Sequence, residues 1–197
     1  MKPDILFRAN GHEIRPFAAT EEGIGKIINF IATFPLAADA NMSKDEIVAF
    51  ILSPNNVLLE SDHALIVLEE VLPGRFALVH FVFWNRKVAG NERFLYEALN
   101  SVMRMFNLKK LSAHVPDRNR AMWRLLERVG FRREGRLRRE FMDRNGLEYD
   151  ILAYGVMLEE LNAHQSARGE IAQNEGSEIR ADKVRHAESA GGDESPG

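Results

Sequence analysis

The stretch that decides the fold begins at Asn119, ends at Leu158 and reads NRAMWRLLERVGFRREGRLRREFMDRNGLEYDILAYGVML. Its first quarter spaces apolar residues at helical intervals, between an asparagine suited to a helix start and a glycine suited to a helix end. The rest is two strand-like segments joined through Asn145-Gly146, a strong β-hairpin signal. The stretch therefore predicts a helix followed by a hairpin, over Asn119–Val129, Phe131–Asp143 and Leu147–Leu158.

Upstream of this stretch, helices and strands alternate in a way that predicts one α+β domain. Helices are predicted to begin at Thr20, at Ser43, where Glu46 completes a capping box, and at Glu92. Strands are predicted over Ile14–Phe17, Val57–Glu60, Ala64–Val71, Phe76–Trp84 and Leu111–Val115. Pro16 cannot donate a backbone hydrogen bond, so the first strand is expected at an edge. We therefore predict a sheet of six to seven strands with about four helices.

The composition changes after Leu161. From Ala163 to Gly197 the chain contains no Phe, Trp, Tyr, Leu or Met and carries four basic and seven acidic residues. Such a segment cannot bury enough apolar surface to offset the entropy of ordering it. We predict a domain over residues 1–162 and a disordered polar tail over residues 163–197. The alternative for this tail is an interaction arm.

The composition also excludes several classes of function. The 197 residues include no cysteine, which rules out disulfide frameworks, thiolate metal sites and a cysteine nucleophile, and we predict no metal site. No stretch reaches the roughly 20 uncharged apolar residues of a membrane helix, and Met1 to Arg8 lacks a signal-peptide core. We therefore predict a cytoplasmic protein without membrane contact. A net charge of -3 argues against a nucleic-acid partner.

Several residues between Asn119 and Leu158 match a known family in type and spacing. They are Asn119, Leu125-Leu126-Glu127, Gly130-Phe131, Glu134-Gly135-Arg136-Leu137-Arg138, Asp150 and Tyr154-Gly155. In these residues the chain resembles the GCN5-related N-acetyltransferases (the GNAT superfamily), most closely the branch that acetylates ribosomal-protein N-termini and related amines. The resemblance implies the GNAT fold, with a single mixed, mostly antiparallel sheet. It also implies transfer of an acetyl group from acetyl-CoA to a primary amine, on a protein N-terminus or a small molecule, by direct attack on the thioester.

The resemblance also implies where the cofactor binds. In this family a glycine-rich loop before a helix holds the pyrophosphate of acetyl-CoA through backbone N–H groups, a favourable arrangement for an anion. The aligned loop is Arg86-Lys87-Val88-Ala89-Gly90-Asn91, in which Ala89 replaces the first family glycine and Asn91 the last small residue. Gly90 and Asn91 still tolerate the left-handed backbone that an anion-binding turn needs. Asn119 and Arg124 are further expected contacts, and Arg124 suits a phosphate of CoA.

Attack by an amine requires a base and a donor for the developing oxyanion. The resemblance places the donor on the backbone of the strand at Phe76–Trp84, and His80 in the middle of that strand is the predicted base. The alternative is a core or cleft histidine with a hydrogen-bond partner. Glu140 is a second candidate base, or an exposed strand carboxylate. Relatives place a tyrosine and a serine where this chain has Leu126 and Met122, so Tyr154 is a candidate for the acid. The alternative for Tyr154 is an aromatic residue that packs on a neighbour.

The strongest charge feature is an excess of arginine between Arg118 and Arg144. This segment holds ten arginines and four acids in a chain that is negative overall. It supports a second hypothesis, in which a GNAT-fold protein has lost catalysis and binds a partner through this arginine-rich face. The competing explanation is a solvated face balanced by acids elsewhere. For the enzyme, the expected partners are acetyl-CoA and an amine acceptor, with the chain a monomer or homodimer.

Overall fold

The computed structural model describes residues 4–33, 42–84, 92–143 and 145–167. The strands are β1 (Phe7–Ala9), β2 (His12–Pro16), β3 (Val57–Glu60), β4 (Ala64–Leu72), β5 (Phe76–Phe83), β6 (Lys110–Pro116), β7 (Arg132–Met142) and β8 (Glu148–Met157). The helices are α1 (Glu21–Thr33), α2 (Lys44–Leu52), α3 (Glu92–Met105), α4 (Arg120–Val129) and a last helix over residues 158–167. None of the helices in these ranges is long and apolar enough to cross a membrane.

The strands form one sheet in the order β1-β2-β3-β4-β5-β6-β8-β7. Neighbouring strands run antiparallel except β5 and β6, which are parallel and joined by α3. The sheet is therefore mixed and mostly antiparallel, and the predicted α+β class is confirmed.

Helices cover both faces of the sheet, and alternation along the strands assigns each residue to a face. In β4, Leu65 and Val67 pack with Ile27 of α1 and with Ile47 and Ile51 of α2. The alternate β4 residues belong to a larger core with α3, α4 and the last helix. Because side chains of a strand point to opposite faces in turn, α1 and α2 cover one face and α3 and α4 the other.

The sheet has one strand more than the upper end of the prediction, and the described residues contain five helices rather than four. The missed strand, β1, is three residues long, too short to show alternation. It joins β2 through Asn10 and Gly11, which both have positive φ, 47° and 82°. This is the same Asn-Gly hairpin signal that identified the C-terminal hairpin, and it could have revealed β1.

The presence of β1 also corrects the expected edge position of the strand containing Pro16. β2 lies second in the sheet, between β1 and β3. However, β1 pairs with His12 to Ile14, whereas Arg15 and Pro16 pair with β3. Proline therefore stands beyond the ladder with β1, where its missing N–H costs no hydrogen bond to that strand.

The helix over residues 158–167 crosses the boundary predicted at residue 162. Leu161 is fully buried, and the ring of His164 donates from Nε2 to the carbonyl oxygen of Arg128, 2.9 Å away. The ring also packs where a side chain on Gly130, the left-handed cap of α4, would stand. Composition could not reveal these five further helical residues, because one leucine and one histidine hold them. The disordered tail stays a prediction for the residues beyond.

Candidate active site

The sheet opens between its two parallel strands. β5 and β6 pair over only three positions, from Phe76–Lys110 to Leu78–Ser112. Beyond Leu78, β5 continues alongside β4 as far as Phe83, and beyond Ser112, β6 continues alongside β8 as far as Pro116. The two strands therefore diverge, and this splay leaves a gap in the middle of the sheet.

Two histidines stand on either side of this splay. His80 lies on β5, two residues beyond the last parallel pair, and His114 lies at the corresponding place on β6. Both line a cavity of about 360 Å³ beneath α1 and α2. The structure thus brings the predicted base to a cavity, together with a second histidine, His114.

Backbone alternation in β5 directs the N–H of Phe81 into the splay. Trp84 donates its N–H to the carbonyl of His63, on the β4 side. Alternate residues of an antiparallel strand bond to the same neighbour, so the N–H groups of His80 and Val82 also point toward β4. The N–H of Phe81 points to the opposite side, toward β6. The N–H of Phe81 therefore points toward the gap, one residue from His80.

Glu69 on β4 binds His80, and sequence reasoning missed it. His80 Nε2 lies 2.8 Å from Glu69 Oε2, and the two side chains are 38% and 30% exposed. Val67 is the residue opposite His80, so the contact is diagonal between strands. The signal was available, because Glu69 is the first acid after a run of five apolar residues in β4.

This contact determines the ionisation of Glu69 and the hydrogen-bond donor of His80. The hydrogen bond from His80 lowers the pKa of the Glu69 carboxyl, and the partial burial of Glu69 works in the opposite direction without reversing the shift. Glu69 is therefore ionised at neutral pH and can only accept hydrogen bonds. His80 Nε2 is therefore the donor, and in a neutral ring the lone pair would lie on Nδ1.

The other two candidate catalytic residues lie away from the cavity lining. Tyr154 is buried on the α3 and α4 face, and its hydroxyl donates to Glu127 Oε1 at 2.9 Å. Burial, together with this hydrogen bond, raises the pKa of Tyr154 to about 12. Glu140 is exposed on β7, where the register with β8 shifts. The structure does not place either residue in the cavity lining with His80. Their catalytic roles stay predictions.

The predicted cofactor residues fall into two groups. The loop from Arg86 to Asn91 lies outside the described residues. Asn119 caps α4, where its side chain accepts a hydrogen bond from the N–H of Met122 at 3.3 Å. Arg124 is exposed on α4, with its guanidinium 5.4 Å from the centre of the Trp123 ring. It is free to reach solvent and stays a predicted phosphate contact.

The residues that carry the family resemblance mostly brace the fold. The Asp150 carboxylate accepts from the N–H of Arg139 at 2.9 Å and also binds the Arg136 side chain. Glu134 binds Lys110 at 2.7 Å, and its carboxylate occupies the space that a Cβ on Gly155 would fill. Together with the Tyr154–Glu127 bond, these contacts tie β7, β8, β6 and α4 together, so the motif specifies architecture.

Much of the arginine excess is neutralised by acids from other elements. The ion pairs are Arg128–Glu92 at 2.6 Å, Arg132–Glu160 at 3.1 Å, Arg136–Asp117 at 3.6 Å and Arg139–Glu148 at 3.5 Å, together with Arg136–Asp150. These contacts favour the explanation of a balanced, solvated face. No specific geometry in the described residues supports an arginine-based docking site.

Comparison with known proteins identifies the fold. No protein-family model matches the sequence, and no curated protein matches it. The structure is similar to Mycobacterium smegmatis RimJ in complex with CoA-disulfide, with a TM-score of 0.63, 18% identity and coverage of 86% of this chain and 98% of that one. It is also similar to spermidine N-acetyltransferase from Vibrio cholerae in complex with CoA and spermine, with a TM-score of 0.60, 20% identity and coverage of 75% and 96%.

At these identities the similarity establishes the fold. The chain has a GNAT-like fold that it shares with these structures, as the residues after Asn119 predicted. Fold alone does not define chemistry, which must be argued from the splay and the cavity.

Proposed function

We propose that this protein transfers an acetyl group from acetyl-CoA to a primary amine. The observation that carries this proposal is the splay between β5 and β6, with the Phe81 N–H directed into it and His80 beside it on the cavity face. The shared fold with two structures that contain CoA or CoA-disulfide supports it.

In this mechanism the thioester lies in the splay and the amine in the cavity. The Phe81 N–H donates to the thioester oxygen as negative charge develops there. The amine nitrogen attacks the carbonyl carbon, and the C–S bond breaks as the thiolate of CoA departs. His80 Nδ1 takes the proton that the nitrogen must lose, and Glu69 stabilises the imidazolium that forms. The proton then passes to the thiolate or to solvent.

The remaining assignments follow the sequence resemblance. The loop at Arg86 to Asn91 would hold the pyrophosphate of acetyl-CoA through its backbone, and Arg124 would contact a phosphate. The ribosomal-protein branch remains our proposal for the nearest relatives. A monomer or homodimer stays the predicted assembly, to be checked by sedimentation, because a V. cholerae spermidine N-acetyltransferase structure is dodecameric.

Calorimetry with acetyl-CoA, followed by thiol release with amines, tests this proposal. We expect a dissociation constant in the micromolar range and CoA release that depends on an added amine. Absence of binding at millimolar acetyl-CoA would contradict the enzyme and favour the alternative, a GNAT-fold protein that binds a partner without catalysis. Binding without amine-dependent CoA release from any amine tested would contradict the transfer step alone.

A further inference from the structure

The cavity beside His80 is apolar except at the splay. Thirteen of the sixteen described residues that line it are apolar, and they come from both helices and from most strands of the sheet. The three others are Glu69, His80 and His114. The volume of about 360 Å³ lies near the lower end of the range for small-molecule pockets. An occupant would therefore place a polar group near the histidines and an apolar group against the helices.

The charge of the lining restricts the occupant further. Glu69 is the single carboxylate among the described residues of the lining, and it already accepts a hydrogen bond from His80. One ammonium group can be stabilised near this carboxylate. A second ammonium group deeper in the cavity would face isoleucine, leucine and valine side chains and would lose its hydration without gaining a partner.

We propose that the acceptor is a primary monoamine whose nitrogen carries an apolar group of about the size of a hexyl or phenylethyl chain. This inference rests on the proposed acetyl transfer and names the substrate class of the same site. The amine nitrogen lies beside His80 and Glu69. The apolar group packs against Ile27, Ile47 and Val67, where burial of each methylene strengthens binding. The same chemistry is offered by a free amine and by a peptide whose first residue is apolar.

The test compares hexylamine with 1,6-diaminohexane, which has the same chain and one more ammonium group. We expect kcat/KM to rise about three- to fourfold per methylene from propylamine to hexylamine. We expect it to be lower for the diamine by about 100-fold or more. Equal or better activity with the diamine or with spermidine would overturn the inference while leaving acetyl transfer in place. 2-Phenylethylamine and a peptide amide beginning with Phe separate the two sources of the amine.

Direct binding separates this inference from the proposed function. Hexylamine is titrated into the protein without acetyl-CoA and followed by calorimetry, with 1,6-diaminohexane as the comparison. Preferential binding of hexylamine without its acetylation supports the cavity inference and contradicts the catalytic proposal. Acetylation of amines without a preference for apolar chains does the reverse. Absence of both binding and transfer contradicts both.

A designed change of specificity provides an independent check. Met42 lines the cavity and immediately precedes Ser43, the N-cap of α2, where a negative charge is favourable to the helix. Met42→Glu adds a second carboxylate, so the ratio of kcat/KM for 1,6-diaminohexane over hexylamine should rise about tenfold or more. The control is Leu52→Glu, an exposed position on α2 outside the lining, which should leave this ratio unchanged. A ratio unchanged in folded Met42→Glu protein contradicts the inference, and the wild-type comparison decides it if that variant does not fold.

Discussion

The C-terminal region, β6 to β8 with α4, and the β4–β5 hairpin use their polar side chains in different ways. In the C-terminal region, Tyr154 binds Glu127 and Asp150 binds Arg136, so these groups stabilise the fold. In the β4–β5 hairpin, Glu69 and His80 bind each other while both remain partly exposed at a cavity. The contrast teaches that the motif marking the fold and the groups suited to chemistry lie in different parts of the sheet.

The largest effect that this comparison predicts is in the hairpin, at His80. His80→Gln keeps a polar side chain but cannot take a proton at neutral pH, so kcat should fall by roughly 10²–10⁴. The dissociation constant for acetyl-CoA should change little, and the acidic limb of the pH–rate profile should disappear. His63→Gln, outside the cavity lining, is the matched control and should retain activity. Full activity in His80→Gln would reduce His80 to a packing residue.

The sequence predicted the C-terminal region better than the cavity. The caps Asn119 and Gly130 and the hairpin through Asn145-Gly146 are all present, because each is decided by a few adjacent residues. The structure places His80 near the splay, and its role as the base stays a prediction. The hydrogen-bond partner of His80 is Glu69, eleven residues earlier. This contact could not be predicted, because strand pairing decides which residues of two strands meet.

The same limit explains the other differences. Tyr154 was a reasonable acid by residue type, but one step along a strand reverses the face, and Tyr154 points away from the cavity. The last helix was not predicted, because Leu161 and His164 hold a segment whose composition is otherwise polar. Local signals therefore predicted elements, whereas contacts between elements required the structure.

A smaller effect is expected at the partner of His80. Glu69→Gln retains a hydrogen-bond acceptor but removes the charge that stabilises the imidazolium, so kcat should fall about tenfold. The matched control is Glu70→Gln, the exposed neighbour, which should behave as wild type. An unchanged kcat in Glu69→Gln would show that the contact with His80 is only structural.

In the C-terminal region, Tyr154→Phe should affect stability and not catalysis. The variant loses the hydrogen bond to Glu127, worth about 1 kcal/mol in the free energy of unfolding. We expect that loss in urea denaturation, with kcat within about threefold of wild type. A loss of kcat approaching that of His80→Gln would make Tyr154 the catalytic acid and break the distinction between the two regions.

The hairpin between β7 and β8 predicts a pH dependence of stability. Burial tends to raise the pKa of Asp143, but hydrogen bonds from the N–H of Leu147, the hydroxyl of Tyr149 and the N–H of Asn145 outweigh it and lower the pKa overall. A carboxyl group with a lower pKa in the folded state than in the unfolded state stabilises the protein at pH values above its unfolded-state pKa. This stability is lost as the pH falls through the folded-state pKa.

Asp143→Asn should therefore flatten the loss of unfolding free energy in acid, while lowering stability at neutral pH. Urea denaturation between pH 3 and pH 7 measures both effects, and the control is Asp62→Asn in the exposed turn before β4. An acid dependence as steep in Asp143→Asn as in wild type would show that Asp143 does not clasp the hairpin.

The smallest effect concerns the last helix, residues 158–167, where two truncations can be compared. Removing residues 168–197 should change the melting temperature by no more than about 2 °C, since that segment has little apolar surface to bury. Removing residues 163–197 also deletes His164, which donates to the Arg128 carbonyl at the end of α4 and packs against Gly130. One such hydrogen bond and its packing contribute about 1 kcal/mol, so the melting temperature should fall by about 2–4 °C more. Thermal unfolding followed by circular dichroism measures both, and His164→Ala in the full chain should reproduce most of the difference. Equal melting temperatures for the two truncations would show that residues 163–167 do not stabilise the domain. A large loss on removing residues 168–197 alone would instead show that the tail packs on the domain.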